Sequence, residues 1–205
     1  MSLFVVIEGI DGAGGETQSK LLIEFLQKNR WQTQFIKYPD YDGPIGLLIH
    51  DFLHKKYDFP SDVQFSLYAT DMAKDREKIL NALKDGKVVI GDRYFTSTLA
   101  YESLTKGFGL EKGLEFAKLF NLPVPDLVIF LEVNPKTSIK RKFGEKKSLD
   151  RHEEDKKLLG KVKESYHTLI KDKVFAKEWI VVDGEKSIEE VAKKVQEAVI
   201  SKLRK

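Results

Sequence analysis

Glu8-Gly9-Ile10-Asp11-Gly12-Ala13-Gly14-Gly15-Glu16-Thr17-Gln18 lies between the apolar run Leu3-Phe4-Val5-Val6-Ile7 and a helical pattern, Leu21, Leu22, Phe25 and Leu26. Five successive apolar residues read as a buried strand, and the spacing after the loop reads as one face of a helix. Strand, glycine-rich turn and helix is the context of a phosphate-binding loop. Glycines let the backbone fold tightly round a phosphate. The free amides and the positive dipole end at the helix start then hold the anion. Four glycines within seven positions carry an entropic cost that an ordinary tight turn does not require.

The loop departs from the usual spacing of Gly, four residues, Gly, Lys, then Ser or Thr. Gly9 and Gly14 match it, whereas Gly15 stands at the lysine and Glu16 at the hydroxyl. The lysine normally neutralises β- and γ-phosphate charge, and the hydroxyl ligates magnesium. Here a cation is lost and an anion gained. The backbone cradle of Gly9, Gly12, Ala13, Gly14, Gly15, Glu16 and Thr17 survives, so electrostatic stabilisation must come from elsewhere or be weak. Magnesium accepts carboxylates. Glu16 is therefore a candidate ligand, directly or through water, and a cation from elsewhere in the chain would have to reach the phosphate.

The chain has 205 residues, enough for one sizeable α/β domain, and residues 1–205 read as a single unit. Lys and Arg number 35 against 32 Asp and Glu, a formal excess of +3 that is too small to suggest nonspecific nucleic-acid binding. There is no cysteine, which excludes disulfides and cysteine metal sites. The apolar N-terminal run is too short for a membrane span and lacks the layout of a signal peptide. A cytoplasmic protein is expected. The four histidines, His50, His54, His152 and His167, show no convincing metal spacing and read as surface or structural residues.

Strands and helices alternate along the rest of the chain. The first helix is expected from about Glu16 to Asn29, then a strand at Gln34 to Lys37 and a loop at Tyr38-Pro39-Asp40-Tyr41-Asp42-Gly43-Pro44. A helix could run from Ser61 to Lys84, closed by Asp85-Gly86. Lys87-Val88-Val89-Ile90-Gly91-Asp92-Arg93-Tyr94 is a short apolar strand that delivers Asp92 and Arg93 at its carboxyl end, the edge where ligands bind in open parallel sheets. Ser97, Ala100 and Tyr101 follow on a helix. Leu110 to Phe120 is a further helix, Asp126 to Glu132 a strand, and Pro135 suits the first position of a helix. A polar, basic stretch ends that helix, so about 142–152 reads as a mobile flap. A long helix from about His152 to Asp172, the strand Trp179 to Val182, and a helix capped by Ser187 complete the chain. The aromatics Phe116, Phe120, Phe130 and Phe143 read as core. The alternation predicts a parallel sheet with helices on both faces.

Several stretches together resemble the thymidylate kinase family of P-loop nucleoside monophosphate kinases, over essentially the whole chain. They are Glu8 to Gly14 with Thr17-Gln18, Leu67-Tyr68-Ala69-Thr70-Asp71, Gly91-Asp92-Arg93-Tyr94 with Ser97 and Ala100-Tyr101, Pro125-Asp126-Leu127, and Asp150-Arg151-His152-Glu153. The resemblance implies a three-layer α/β P-loop fold with a five-stranded parallel sheet, usually a homodimer. It implies transfer of the γ-phosphoryl of ATP to dTMP, with magnesium. It also implies residue roles. Asp11 would hold the sugar 3′-hydroxyl, Tyr68 would stack on thymine, and Arg93 would bind the dTMP phosphate. Asp92 would help order magnesium, Ser97 and Tyr101 would line the acceptor pocket with Tyr101 crowding a ribose 2′-hydroxyl, Arg141 would lie against adenine, and Arg151 would belong to the lid over ATP.

The chain also differs from that family. Met72 stands where an Arg is frequent, and Arg76, one turn later, is a candidate substitute. Pro39-Asp40-Tyr41 lacks an Arg found in some members, and Glu102 replaces a Gln. Three readings are open at this stage: an active dTMP kinase, a catalytically weak nucleotide-binding homologue acting as a regulator, and a kinase for another deoxynucleoside monophosphate. Asp11, Asp92, Arg93 and Tyr101 favour the first, since a pure scaffold has no need of that set.

Overall fold

A computed structural model describes residues 2–145, 150–152 and 155–204. Five strands form one parallel sheet: β1 (Leu3–Gly9), β2 (Thr33–Lys37), β3 (Val88–Asp92), β4 (Leu127–Glu132) and β5 (Trp179–Asp183), in the order β2-β3-β1-β4-β5. The glycine loop thus leaves the middle of the sheet. Every residue of β1 and β3 is buried, as a parallel sheet covered on both faces requires. The register sets Ile7 beside Asp92 and Lys37 beside Asp92, which aligns three strand ends along one edge.

The helices are α1 (Gly15–Lys28), α2 (Pro44–Leu53), α3 (Ser61–Ala73), α4 (Arg76–Lys84), α5 (Phe95–Thr98), α6 (Leu110–Leu119), α7 (Pro135–Glu145), α8 (Lys156–Lys171) and α9 (Ile188–Leu203). α1 and α9 pack on each other and on the central strands. α8 packs on the segment that continues α5. Local chemistry starts several of them. Pro44 opens α2 where no amide is needed. The Asp155 carboxylate accepts from the amides of Lys157 and Leu158 at the head of α8. Ser187 and Glu190 form a reciprocal capping box on α9. A small separate core of Ile49, Phe52 and Leu53 packs with Phe59, Leu67 and Tyr68, and so fixes α2 against α3.

Three expectations need correction, and one expected helix has an unusual pitch. The helix from Ser61 to Lys84 is two helices, interrupted at Lys74 and Asp75. Lys74 holds Asp40, Asp71 and Asp75 at 3.0 to 3.1 Å, and this cluster rewards a chain that bends there. The helix after Arg93 winds as a π-helix over Leu99–Thr105, a widened turn frequent at functional sites. α8 begins at Lys156, because Asp155 caps it, which leaves Arg151 and His152 outside the helix. Phe143 and Phe120 are exposed rather than core. Among the described residues no helix is long and apolar enough to cross a membrane. Of the expected flap, residues 146–149, and beyond it Glu153, lie outside the described residues.

Candidate functional site

A cleft of about 540 Å³ opens at the carboxyl edge of β1 and β3. The glycine loop forms its floor. Gly12 and Gly14 have φ of 80° and 100°, a region that favours glycine. A Cβ on Gly12 would lie 2.6 Å from the Ser138 carbonyl oxygen, so α7 presses directly against the loop. The Ser138 hydroxyl also donates to the Asp11 carbonyl. A Cβ on Gly15 would meet Asp92 Oδ1 at 2.6 Å, so the position where the usual lysine would stem is filled by a carboxylate.

Arg93 has φ of 66°, rare for a residue with a side chain and of order 1–3 kcal/mol unfavourable. This turn brings its guanidinium back over the loop. Nη1 donates to the Gly9 carbonyl at 2.9 Å and to Ser97 Oγ at 3.2 Å, and Nη2 to Asp11 Oδ1 at 2.6 Å. The Tyr101 hydroxyl donates to Asp11 Oδ2 at 3.0 Å. Burial would raise the Asp11 pKa, but the Arg93 guanidinium and the Tyr101 hydroxyl hold it below the usual carboxylate value. Asp11, Arg93, Ser97 and Tyr101, widely separated in sequence, thus form one connected group.

The strain at Arg93 is held by Glu8, which the sequence reading did not single out. Its carboxyl accepts from the amides of Tyr94 and Ser97 and the hydroxyls of Thr96, Ser97 and Tyr166, at 2.6 to 3.1 Å. A buried carboxyl with five donors fixes the chain on either side of Arg93. Its strand position among apolar residues was the available signal.

On the opposite wall stand Tyr68, Met72 and Thr98. Neither the Tyr68 hydroxyl nor Glu102 Oε2 has a hydrogen-bond partner among the described residues. His152 is a buried structural residue that also lines the cleft. Its ring stacks on Tyr101 at 5.5 Å, and Nε2 accepts from Lys106 at 2.9 Å. Burial and the charges of Lys106, Arg93 and Arg151 push its pKa down to about 3, so the ring is neutral.

Asp92 lies beside the loop, and burial, with Glu16 and Glu8 nearby, raises its pKa to about 6 against the pull of Arg93 and Lys37. Glu16 differs from its expected role. Its Oε1 accepts from Lys20 at 2.7 Å and its Oε2 from Lys37 at 2.6 Å, and these bonds hold its pKa at about 2. Both oxygens meant for magnesium are thus occupied by ammonium groups.

Three expected residues lie elsewhere. Arg76 Nη1 donates to the Phe120 carbonyl, and the rest of the guanidinium pairs with Glu77, because the break at Lys74 and Asp75 turns α4 away from Met72. Arg151 pairs with Asp58 at 2.6 Å and covers the Phe52 ring. Arg141 donates to the carbonyls of Ala13 and Gly184, behind the loop rather than inside the cleft.

Comparison with known proteins identifies relatives over most of the chain. The sequence pattern of the thymidylate kinase family matches residues 7–195. A thymidylate kinase of Caldanaerobacter subterraneus subsp. tengcongensis is 35% identical, with 96% of this chain and 94% of that protein covered. A probable thymidylate kinase of Pyrococcus abyssi is 36% identical over 92% and 91% of the two chains. A thymidylate kinase of Danio rerio is 29% identical over 94% and 87%.

Proposed function

The chain belongs to the thymidylate kinase family, and we propose that it transfers the γ-phosphoryl of ATP to dTMP in the cleft between the glycine loop and Tyr68. The observation that carries this reading is the connected group of Asp11, Arg93, Ser97 and Tyr101 facing a phosphate loop across one cleft.

The acceptor phosphate meets Arg93, whose planar fork suits two phosphate oxygens. On binding, Arg93 exchanges Asp11 for phosphate, and the freed Asp11 carboxylate accepts from the sugar 3′-hydroxyl. Tyr68 stacks on the base, and Tyr101 fills the space a 2′-hydroxyl would need. The amides of Gly12 to Thr17 hold the donor phosphates, and Arg141, which bonds the carbonyls of Ala13 and Gly184 outside the cleft, would have to turn from them to reach the adenine. Arg151, paired with Asp58 in this structure, would have to leave that partner to cover the donor. Phosphoryl transfer depends mainly on positioning and on cations round the moving group.

Magnesium, when bound, neutralises phosphate charge. It usually keeps phosphate and water ligands with one or two carboxylates. Asp92 fits as such a carboxylate: it is buried beside the loop, its charged form is disfavoured, and a nearby cation would relieve it. We place the protein in the cytoplasm and expect a homodimer, on the family resemblance.

Gly15 and Glu16 favour a second reading, a nucleotide-binding homologue with little catalysis. A coupled assay with ATP and dTMP, beside dUMP, dCMP and dGMP, separates the readings. The proposed reading expects turnover of roughly one to a hundred per second with dTMP and lower specificity constants for the others. Binding without turnover on any acceptor would support the second reading. Preference for another acceptor would move the assignment to that nucleotide.

A further inference from the structure

The glycine loop lacks its lysine, yet an ammonium group stands at its mouth. Lys37 is the last residue of β2, paired in register with Asp92 of β3. It lines the cleft, and its Nζ lies 2.6 Å from Glu16 Oε2. Glu16 is the second residue of α1, where a hydroxyl is usual, so its carboxylate holds the ammonium at the N-terminal end where donor phosphates collect. Asp92 Oδ1 occupies the place where a side chain at position 15 would begin. Lys37 lowers the Asp92 pKa, so its charge is felt there. The altered positions therefore fit one another: glycine makes room for Asp92, and a carboxylate replaces the hydroxyl and anchors a lysine arriving from β2.

We infer that Lys37, from a neighbouring strand of the same chain, supplies the cation the loop lacks, contacting the transferred phosphoryl group, with Glu16 as its positioning residue. This rests on the phosphoryl-transfer reading above. Lys37 acts by its charge alone and forms or breaks no bond. Other cations suit the task less well. Arg151 and Arg141 are directed elsewhere. Lys20 rises from the next turn of α1, is the more exposed of the two Glu16 partners, and reaches the other Glu16 oxygen. Lys142 also lines the cleft, beside Gly12 on α7 and towards Asp11, and so serves as a control in the test below.

The simpler explanation is that Lys37 only neutralises Glu16. Lys37→Met, Glu16→Thr and the double variant distinguish the two. If Lys37 contacts phosphate, Lys37→Met lowers kcat about a hundredfold or more, Lys37→Arg retains part of it, and the double variant stays low. If Lys37 only balances Glu16, the double variant recovers, and the inference is overturned. Calorimetry gives a readout independent of turnover. Affinity for a non-hydrolysable ATP analogue with magnesium should fall at least tenfold in Lys37→Met, while affinity for dTMP is unchanged. Wild-type analogue affinity and kcat in Lys37→Met, or the loss moving to Lys20→Met or Lys142→Met, would also overturn it. A wild type inactive on every acceptor sinks the kinase reading alone, because the calorimetry still decides whether Lys37 meets the triphosphate.

Discussion

Glu8 shows how a single buried side chain underwrites the site. Its five donors come from residues 94 to 97 and from Tyr166 of α8. Glu8→Leu would leave those donors without an acceptor, each at about 1–3 kcal/mol. We expect Glu8→Leu to lose at least about 3 kcal/mol in urea denaturation. Glu8→Gln, which keeps one acceptor oxygen, should lose less and still bind dTMP more weakly, because Arg93 is no longer held in its strained conformation. A Glu8→Gln protein with wild-type dTMP affinity would remove that link. Asp92 gives a second prediction. With its carboxyl protonated below about pH 6, kcat/KM for MgATP should rise as pH passes that value and level off above it. Asp92→Asn should abolish the step. Persistence of the step in Asp92→Asn would assign it to another group.

At the scale of elements, the acceptor wall depends on how α2 meets the loop before it. A Cβ on Gly46 would lie 1.9 Å from the Asp40 carbonyl oxygen. Asp40 cannot easily yield, because its amide donates to Asp71 and its carboxylate pairs with Lys74. Gly46→Ala should therefore destabilise the protein by about 1–3 kcal/mol and weaken dTMP binding through Tyr41, the neighbour of Asp40 that lines the cleft, leaving ADP affinity near wild type. Equal losses for both nucleotides would point to general unfolding instead.

The same elements show what the sequence could and could not reveal. β1, the glycine loop and β3 were legible because their signals are local: an apolar run, a cluster of glycines, an Asp-Arg pair at a strand end. The break in the helix from Ser61 was not legible, since helical spacing continues through Lys74, Asp75 and Arg76. Only the convergence of Asp40, Asp71 and Asp75 on Lys74 shows why the chain bends. That missed bend is why Arg76 was expected near the acceptor. Glu8, Lys37 and His152 were missed for a related reason: their partners lie 21 to 158 residues away, beyond any periodicity.

Across the whole molecule, His152 ties the site to acid stability. The unfolded chain takes up a proton on histidine near pH 6.5, whereas the folded ring does so only near pH 3. Below pH 6.5 the unfolded state binds more protons, so stability falls with pH, by on the order of 2 kcal/mol between pH 6.5 and 5. Asp92 acts in the opposite sense. Its folded pKa is raised, so it adds stability as pH falls from about 6 towards 4 and offsets part of the loss. Thermal melting at pH 7 and pH 5 should show a smaller difference for His152→Phe than for wild type. Parallel curves would free His152 of this role.

The sheet itself sets an order in which functions fail on heating. β1 and β3 are buried throughout, while edge strands β2 and β5 each bury one residue. Amides of such edges exchange with solvent through local openings that leave the centre intact. Arg93 and Glu8 belong to the slowly exchanging centre, and Lys37 ends an edge. A warmed sample should therefore stop turning over while it still retains dTMP, with deuterium entering β2 before β1.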